Sequence, residues 1–110
     1  MAKIGFDTGT GTGTGKGFKD DKEKLKWNLI ELERLSPMIK ALMFGAKKYG
    51  VDNWKDLPEA NVRYYEALMR HIAQYQTGEI NDEESGLPHL AHAQCCLYFL
   101  MYFCETEVHN

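Results

Sequence analysis

Long apolar runs are missing from this chain: nothing in it approaches the ~18 residues of a membrane-spanning helix. The start Met1-Ala2-Lys3-Ile4-Gly5-Phe6-Asp7 also lacks the apolar stretch of a signal peptide. Together these predict a cytoplasmic protein with no membrane partner. An excess of basic charge is absent too. Thirteen Lys and Arg stand against 16 Asp and Glu, a net charge of −3, which argues against a nucleic-acid binder. There is no Cys-x-x-Cys pair for zinc. The three cysteines, Cys95, Cys96 and Cys104, lie in the most apolar segment. On a helix Cys96 and Cys104 would be ~12 Å apart, too far for a disulfide, so buried free thiols are expected. Proline is scarce, at positions 37, 58 and 88 only.

At 110 residues the chain is one small domain. Its opening is a dipeptide repeat, Thr8-Gly9-Thr10-Gly11-Thr12-Gly13-Thr14-Gly15, followed by Lys16. A phosphate loop would need glycine where Thr10 stands, and Ser or Thr where Gly17 stands. The repeat therefore reads as a flexible arm. With the Lys- and Asp-rich stretch after it, the arm occupies residues 1–26, and residues 27–110 form a single helical domain.

The three prolines mark three helix starts. Ser36 is expected as an N-cap with Pro37 at the first helical position. Met38, Ile39, Leu42, Met43 and Ala46 then recur at helical spacing up to Tyr49, and Gly50 supplies the C-terminal glycine. Gly45 inside this helix leaves room for a close approach of backbone or ligand. Pro58 opens a second helix reaching about Tyr75. Val62, Tyr65, Met69, Ile72 and Gln76 step along one face, widened by Leu68 and Tyr75. Glu59–Arg63 and Glu66–Arg70 are i,i+4 pairs. Thr77-Gly78 ends it. Leu87-Pro88 begins a third helix running to about Glu105, with Leu90, Ala93, Leu97, Leu100, Met101 and Cys104 facing one way. Apolar nearly all round, it should be central or lie at an oligomer interface. The fold class expected is all-α: three main helices in a small bundle, completed by oligomerisation into a homo-oligomer.

Two groups of polar residues stand out. Lys47, Lys48, Tyr49, Asn53 and Trp54 close the first helix and open a loop. Lysines suit phosphate, rings stack on a base, and an amide reads an edge; equally, lysines in a last turn complement the helix dipole, and Trp54 can anchor the loop. The second group surrounds the turn between the later helices. His89 and His92, three apart, project from one helix face. Asp82 and Glu84 precede them, and an antiparallel hairpin would bring His71 close. Imidazole with carboxylate suits Zn²⁺, Mn²⁺ or Fe²⁺, and carboxylates alone Mg²⁺. Singly, each residue also has a structural reading as a hydrogen-bonded core histidine or a turn acid. Glu79 and Glu83 read as solvated turn residues.

The blocks Gly45-Ala46-Lys47-Lys48-Tyr49-Gly50, Asn53-Trp54, Arg70-His71, Gly78-Glu79, Asp82, Glu84-Ser85-Gly86 and His89-Leu90-Ala91-His92-Ala93 resemble a phage family, the N-terminal domain of dATP/dGTP diphosphohydrolase. Lys24-Leu25-Lys26-Trp27-Asn28-Leu29 is similar to that family's opening, so the resemblance covers about residues 20 to 104. It implies a phage protein acting in the host cell, and hydrolysis of a purine deoxynucleoside triphosphate to monophosphate and pyrophosphate. That activity is similar to that of the all-α MazG-like pyrophosphohydrolases, which hold Mg²⁺ or Mn²⁺ with Glu-x-x-Glu and Glu-x-x-Asp. This chain departs from them: His89-x-x-His92 stands in place of an acidic pair.

The expectation is thus a metal-dependent nucleotide pyrophosphohydrolase. His71, Asp82, Glu84, His89 and His92 would hold a divalent ion (Mn, Mg or Zn), with Asp82 or Glu84 as general base. Lys47, Lys48 and Arg70 would bind phosphates, and Tyr49, Asn53 and Trp54 the base or sugar. The alternatives are a phage protein that binds a host signalling nucleotide without catalysis, or a helical interaction module.

Overall fold

The structure, a computed structural model, describes residues 22–107. The Thr-Gly run and most of the expected arm lie outside them. The chain divides into two compact units, Met1–Leu35 and Ser36–Asn110. In the first, the described part holds two 3-10 turns, Trp27–Leu29 and Leu32–Leu35.

The second unit carries three helices: α1, Ser36–Tyr49; α2, Ala60–Gln76; and α3, His89–Glu107. A short 3-10 turn, Asn53–Asp56, links α1 to α2. Among the described residues there is no strand, only one isolated antiparallel bridge between Asn81 and Pro88. The protein is therefore all-α, as the sequence implies. α2 and α3 make the main helix pair, and α1 packs on α3.

The helix ends follow local chemistry. Gly50 has φ +104° and donates its N–H to Ala46 O at 2.7 Å, which closes α1. Gly78, φ +103°, follows the α2 cap residue Thr77. Two starts differ from expectation. Ser36 is already inside α1 rather than capping it. α2 begins at Ala60, not at Pro58, because Glu59 adopts a left-handed conformation (φ 56°) that helical geometry excludes. Glu59–Arg63 and Glu66–Arg70 are not among the ion pairs of the described residues.

The largest difference concerns which faces pack. The buried apolar residues are small: Ala41, Ala60, Ala91, Ala93, Cys95 and Cys96. Met38, Leu42, Leu87 and Phe99 pack around Ala41, Ala91 and Cys95. On α2 the inward residues are Ala60, Tyr64, Ala67, Leu68 and His71, while Val62, Tyr65, Met69, Tyr75 and Gln76 are exposed. On α3 Ala93 is buried and Leu100 half-buried, but Leu90, Leu97, Met101 and Cys104 are exposed. On α1, Ile39 and Met43 likewise face outward. Small side chains on the inner faces allow close helix packing, so the bulkier stripes are left outside. Cys104 is accordingly not the buried thiol expected; Cys95 and Cys96 are buried, and burial pushes their pKa values up to about 12 and about 11.

Candidate functional site

The α2–α3 connection is a small hairpin whose backbone is held at three points. Asp82 N–H donates to Leu87 O at 2.7 Å, His89 N–H to Ile80 O at 2.8 Å, and Gly86 N–H to Asp82 O at 2.8 Å. The Asp82 carboxylate accepts the Ser85 N–H at 2.9 Å, the side-chain-to-backbone bond that makes aspartate a turn former. Gly86 takes φ +75°, which brings the chain back to start α3. The result sets Asp82 beside the first turn of α3 and opposite the last turns of α2.

There the three histidines converge. His71 Nδ1 and His89 Nδ1 are 2.9 Å apart. The His71 and His92 rings stack, 4.8 Å between centroids and 12° between planes. His92 Nε2 lies 2.7 Å from Ser85 Oγ. That hydroxyl accepts the Leu87 N–H at 3.1 Å, so its proton is free to be donated to the ring. One ligand atom from each of His71, Asp82 and His89 falls within a sphere of mutual distances under 4.8 Å.

His89 is the buried member, 3% exposed. Its Nε2 has no hydrogen-bond partner; Glu79 Oε2, at 3.6 Å, is within ion-pair reach but too long for a hydrogen bond. A buried polar atom without a bond is costly. The Nδ1 pair also needs one ring to donate and the other to accept. Burial, then the charges of His92 and His89, hold the His71 pKa below the ordinary histidine value, against an opposing pull from Asp82. Burial likewise lowers His92, with Asp82 pulling the other way. Burial works to raise the Asp82 pKa, but hydrogen bonding from Ser85 and the nearby imidazoles bring it below the usual carboxylate value.

Part of this cluster borders a cavity of about 830 Å³. His71, His92 and Asp82 line it, with Arg70, Glu84 and Lys48. Lys48 is ion-paired to Glu84 and lies over the Tyr49 ring, 5.1 Å from its centroid. Tyr49, Asn53, Trp54, Tyr64 and Tyr102 line it too. Trp54 stacks on Phe99, with centroids 4.4 Å apart, and meets Tyr102 edge-on at 5.0 Å. It thereby anchors the α1–α2 loop to α3 while still reaching the cavity.

Residues 14–109 match the family described as dATP/dGTP diphosphohydrolase, N-terminal. The chain belongs to this family. The dATP/dGTP diphosphohydrolase of Salmonella phage PMBT28 is 33% identical over 91 residues, which cover 83% of this chain and 31% of that protein. The chain thus spans about a third of the length of that relative. No solved structure matches.

The structure gathers most of the residues singled out from sequence, and separates a few. Lys48, Tyr49, Asn53, Trp54 and Arg70 share the cavity with His71, Asp82, Glu84 and His92. Lys47 is exposed and does not line it. His89 lies behind the wall, reached through His71. Glu84 is directed to Lys48 rather than to the three-ligand cluster. Three residues were not assigned to the site from sequence: Ser85, which holds both Asp82 and His92; Glu79, read as a solvated turn residue, which is the acid nearest the buried His89 nitrogen; and Tyr102, which extends the aromatic wall. Ser85 carried a signal, three residues after Asp82 as in an Asx-type turn.

Proposed function

We propose that this domain is a metal-dependent pyrophosphohydrolase of purine deoxynucleoside triphosphates, dGTP and dATP, serving phage nucleotide metabolism in the host cytoplasm. The single observation that carries the reading is the shared cavity: its lining combines His71, His92 and Asp82 with the cations Lys48, Lys55 and Arg70 and with an aromatic wall.

The donor set suits a divalent ion. Two imidazoles and one carboxylate match the preferences of Zn²⁺ or Mn²⁺. A tetrahedral ion with nitrogens at about 2.0–2.1 Å separates two ligands by roughly 3.3 Å, and the two Nδ1 atoms already stand 2.9 Å apart. The His89 Nε2, which diverges from Nδ1 on the same ring and has Glu79 at 3.6 Å, takes no part in holding that ion. His71, Asp82 and His89 would hold the ion, with His92 braced against His71 by stacking and fixed by Ser85. A bound ion there would neutralise phosphate charge and lower the pKa of water.

The chain's own residues supply the rest. Lys48 and Arg70 face the phosphates, and Tyr49, Asn53 and Trp54 the sugar and base. Water attacks the α-phosphorus, the bond to the bridging oxygen breaks, and pyrophosphate departs. Glu84, once released from Lys48, accepts the water proton, with Asp82 the other carboxylate in reach. Fixed charges about the phosphates carry most of the rate enhancement.

A second reading has its own support. Glu84 is neutralised by Lys48 and Asp82 is occupied by Ser85, an arrangement suited to holding a nucleotide without cleaving it. Incubation of the purified protein with dGTP or dATP and Mn²⁺, Mg²⁺ or Zn²⁺, followed by chromatography, should yield monophosphate and pyrophosphate. Tight nucleotide binding by calorimetry with no turnover under any metal would replace the enzyme by the sequestering protein.

A further inference from the structure

The outer face of α3 has a regular pattern that borders the cavity only at Met101. Leu90, Gln94, Leu97, Met101 and Cys104 follow one another at intervals of four, three, four and three. All five are exposed, Leu97 by 51% and Met101 by 57%. This 3.5-residue repeat is the d-a-d-a-d seam of a two-stranded coiled coil, with one polar residue, Gln94, at an a position. A seam so spaced is left unpaired in the single chain.

Beside it runs an apolar groove of about 400 Å³ between α2 and α3. Leu68, Ile72, Pro88 and Ala93 line it together with Leu90 and Leu97, and Gln94 is its one polar lining residue. Tyr65 and Met69 extend the exposed surface along α2. Ridge and groove therefore occupy the same face. The unit's own core is thin: among the described residues no large side chain is fully buried. A domain of this size gains much by covering such a face.

We propose that α3 pairs with α3 of a second copy of this chain, forming a homodimer along the Leu90–Cys104 seam. Three features favour a second copy over another occupant. A heptad seam on one helix calls for a helix of like spacing, and α3 itself is one. In a twofold contact the same patch meets itself, so a ridge must find a groove within that patch, and it does. Charges of one sign would oppose their own copies, and the seam carries no charged side chain. Gln94 can pair with its counterpart and fix the register, as single polar a-position residues do. Of the seam residues only Met101 also borders the cavity, and the proposal is independent of any nucleotide chemistry.

Sedimentation equilibrium of the full chain tests it. The wild type should sediment as a dimer at micromolar concentration. Leu97→Glu and Leu97→Lys should each be monomeric, with helical circular dichroism retained, and an equimolar mixture should return to a dimer. Recovery on mixing cannot arise from misfolding. Should both Leu97 variants lose their helical signal, Met101→Glu, at the more exposed position, should give a folded monomer. A monomeric wild type overturns the proposal. So does a dimer that survives Leu97→Glu or Met101→Glu, or charge variants that fold but do not associate when mixed.

Discussion

The Nδ1 atoms of His71 and His89 face each other at 2.9 Å, so only one of them can carry a proton in that contact. Protonating His71 in this setting sets a second positive group against His92 and His89, within a partly buried cluster. Its pKa is lowered in the fold first by burial and then by those neighbours, and that of His92 is lowered by burial. Above the ordinary histidine value of about 6.5 both folded and unfolded chains hold these rings neutral, and stability is complete. Below it the unfolded chain takes up protons that the folded chain refuses, so stability falls until the pH passes the lowered folded values. The melting temperature of metal-free protein should therefore drop between about pH 7.5 and pH 5.5. Replacing His71 and His92 by Gln should flatten that slope. A melting temperature that is constant or rises on acidification would contradict the assignment. Asp82, lowered in the opposite chemical sense, adds a separate loss only as pH falls below its usual range near 3.8.

Two glycines should respond in opposite directions to alanine. Gly86 has φ +75°, and no atom lies within 4 Å of where a Cβ would be. The penalty of Gly86→Ala is thus backbone strain alone, about 1–2 kcal/mol, expressed at the turn that aligns Asp82 and Ser85. Gly45 lies inside α1 with an ordinary helical backbone, and it too has open space around a built Cβ. Gly45→Ala should stabilise the protein by about 1 kcal/mol. Because Gly45 lines the cavity, the same variant should be checked for nucleotide affinity. Chemical denaturation of the two variants gives the signs directly, and equal signs would refute the assignment of conformations.

The helix-turn-helix carrying the histidines was readable in advance, because Gly78 and Pro88 bound a short polar turn and an antiparallel return is the compact solution. That placed His71 opposite His89 and His92, where they are found. The packing faces were not readable. Hydrophobic scales favour Leu90, Leu97, Met69 and Tyr65 over Ala91, Cys95 and Ala67, yet small residues form the close contact between helices and the larger ones stand outside. Position along a helix is a local property; which side meets a neighbour depends on how near the neighbour's backbone can come. Ser85 and Glu79 were hidden for a related reason, since their contacts with His92 and His89 exist only once the hairpin has closed.

Divalent metal should stabilise the folded chain. An ion that binds only the native state contributes about 2.7 kcal/mol at a hundredfold excess over its dissociation constant, enough for a clear rise in melting temperature. Zn²⁺ and Mn²⁺ should produce it, and a chelator should reverse it. Asp82→Asn and His71→Gln should abolish the metal-dependent rise. His92→Gln should keep much of it, because His92 is committed to Ser85 and acts on the site by stacking against His71. Loss of the response in His92→Gln together with its retention in His71→Gln would exchange the roles given to the two residues.

The ion pair between Lys48 and Glu84 joins the end of α1 to the turn before α3 at the mouth of the cavity. Glu84 raises the Lys48 pKa, chiefly through their hydrogen bond, with Tyr49 contributing, so Lys48 enters any phosphate contact fully charged but already engaged. Phosphate and Glu84 then compete for one ammonium group. Glu84→Gln removes the competitor and a repelling carboxylate, and should tighten metal-free binding of dGTP by roughly threefold, the scale expected of an exposed pair. Lys48→Gln should weaken binding and reduce its dependence on salt. The two changes together should behave as Lys48→Gln alone, since Glu84 opposes phosphate mainly by holding the lysine. Calorimetric titration of the four proteins at two salt concentrations measures all of this. If Glu84→Gln tightens binding equally with and without Lys48, the carboxylate acts by direct repulsion of phosphate, and the competition for Lys48 is refuted.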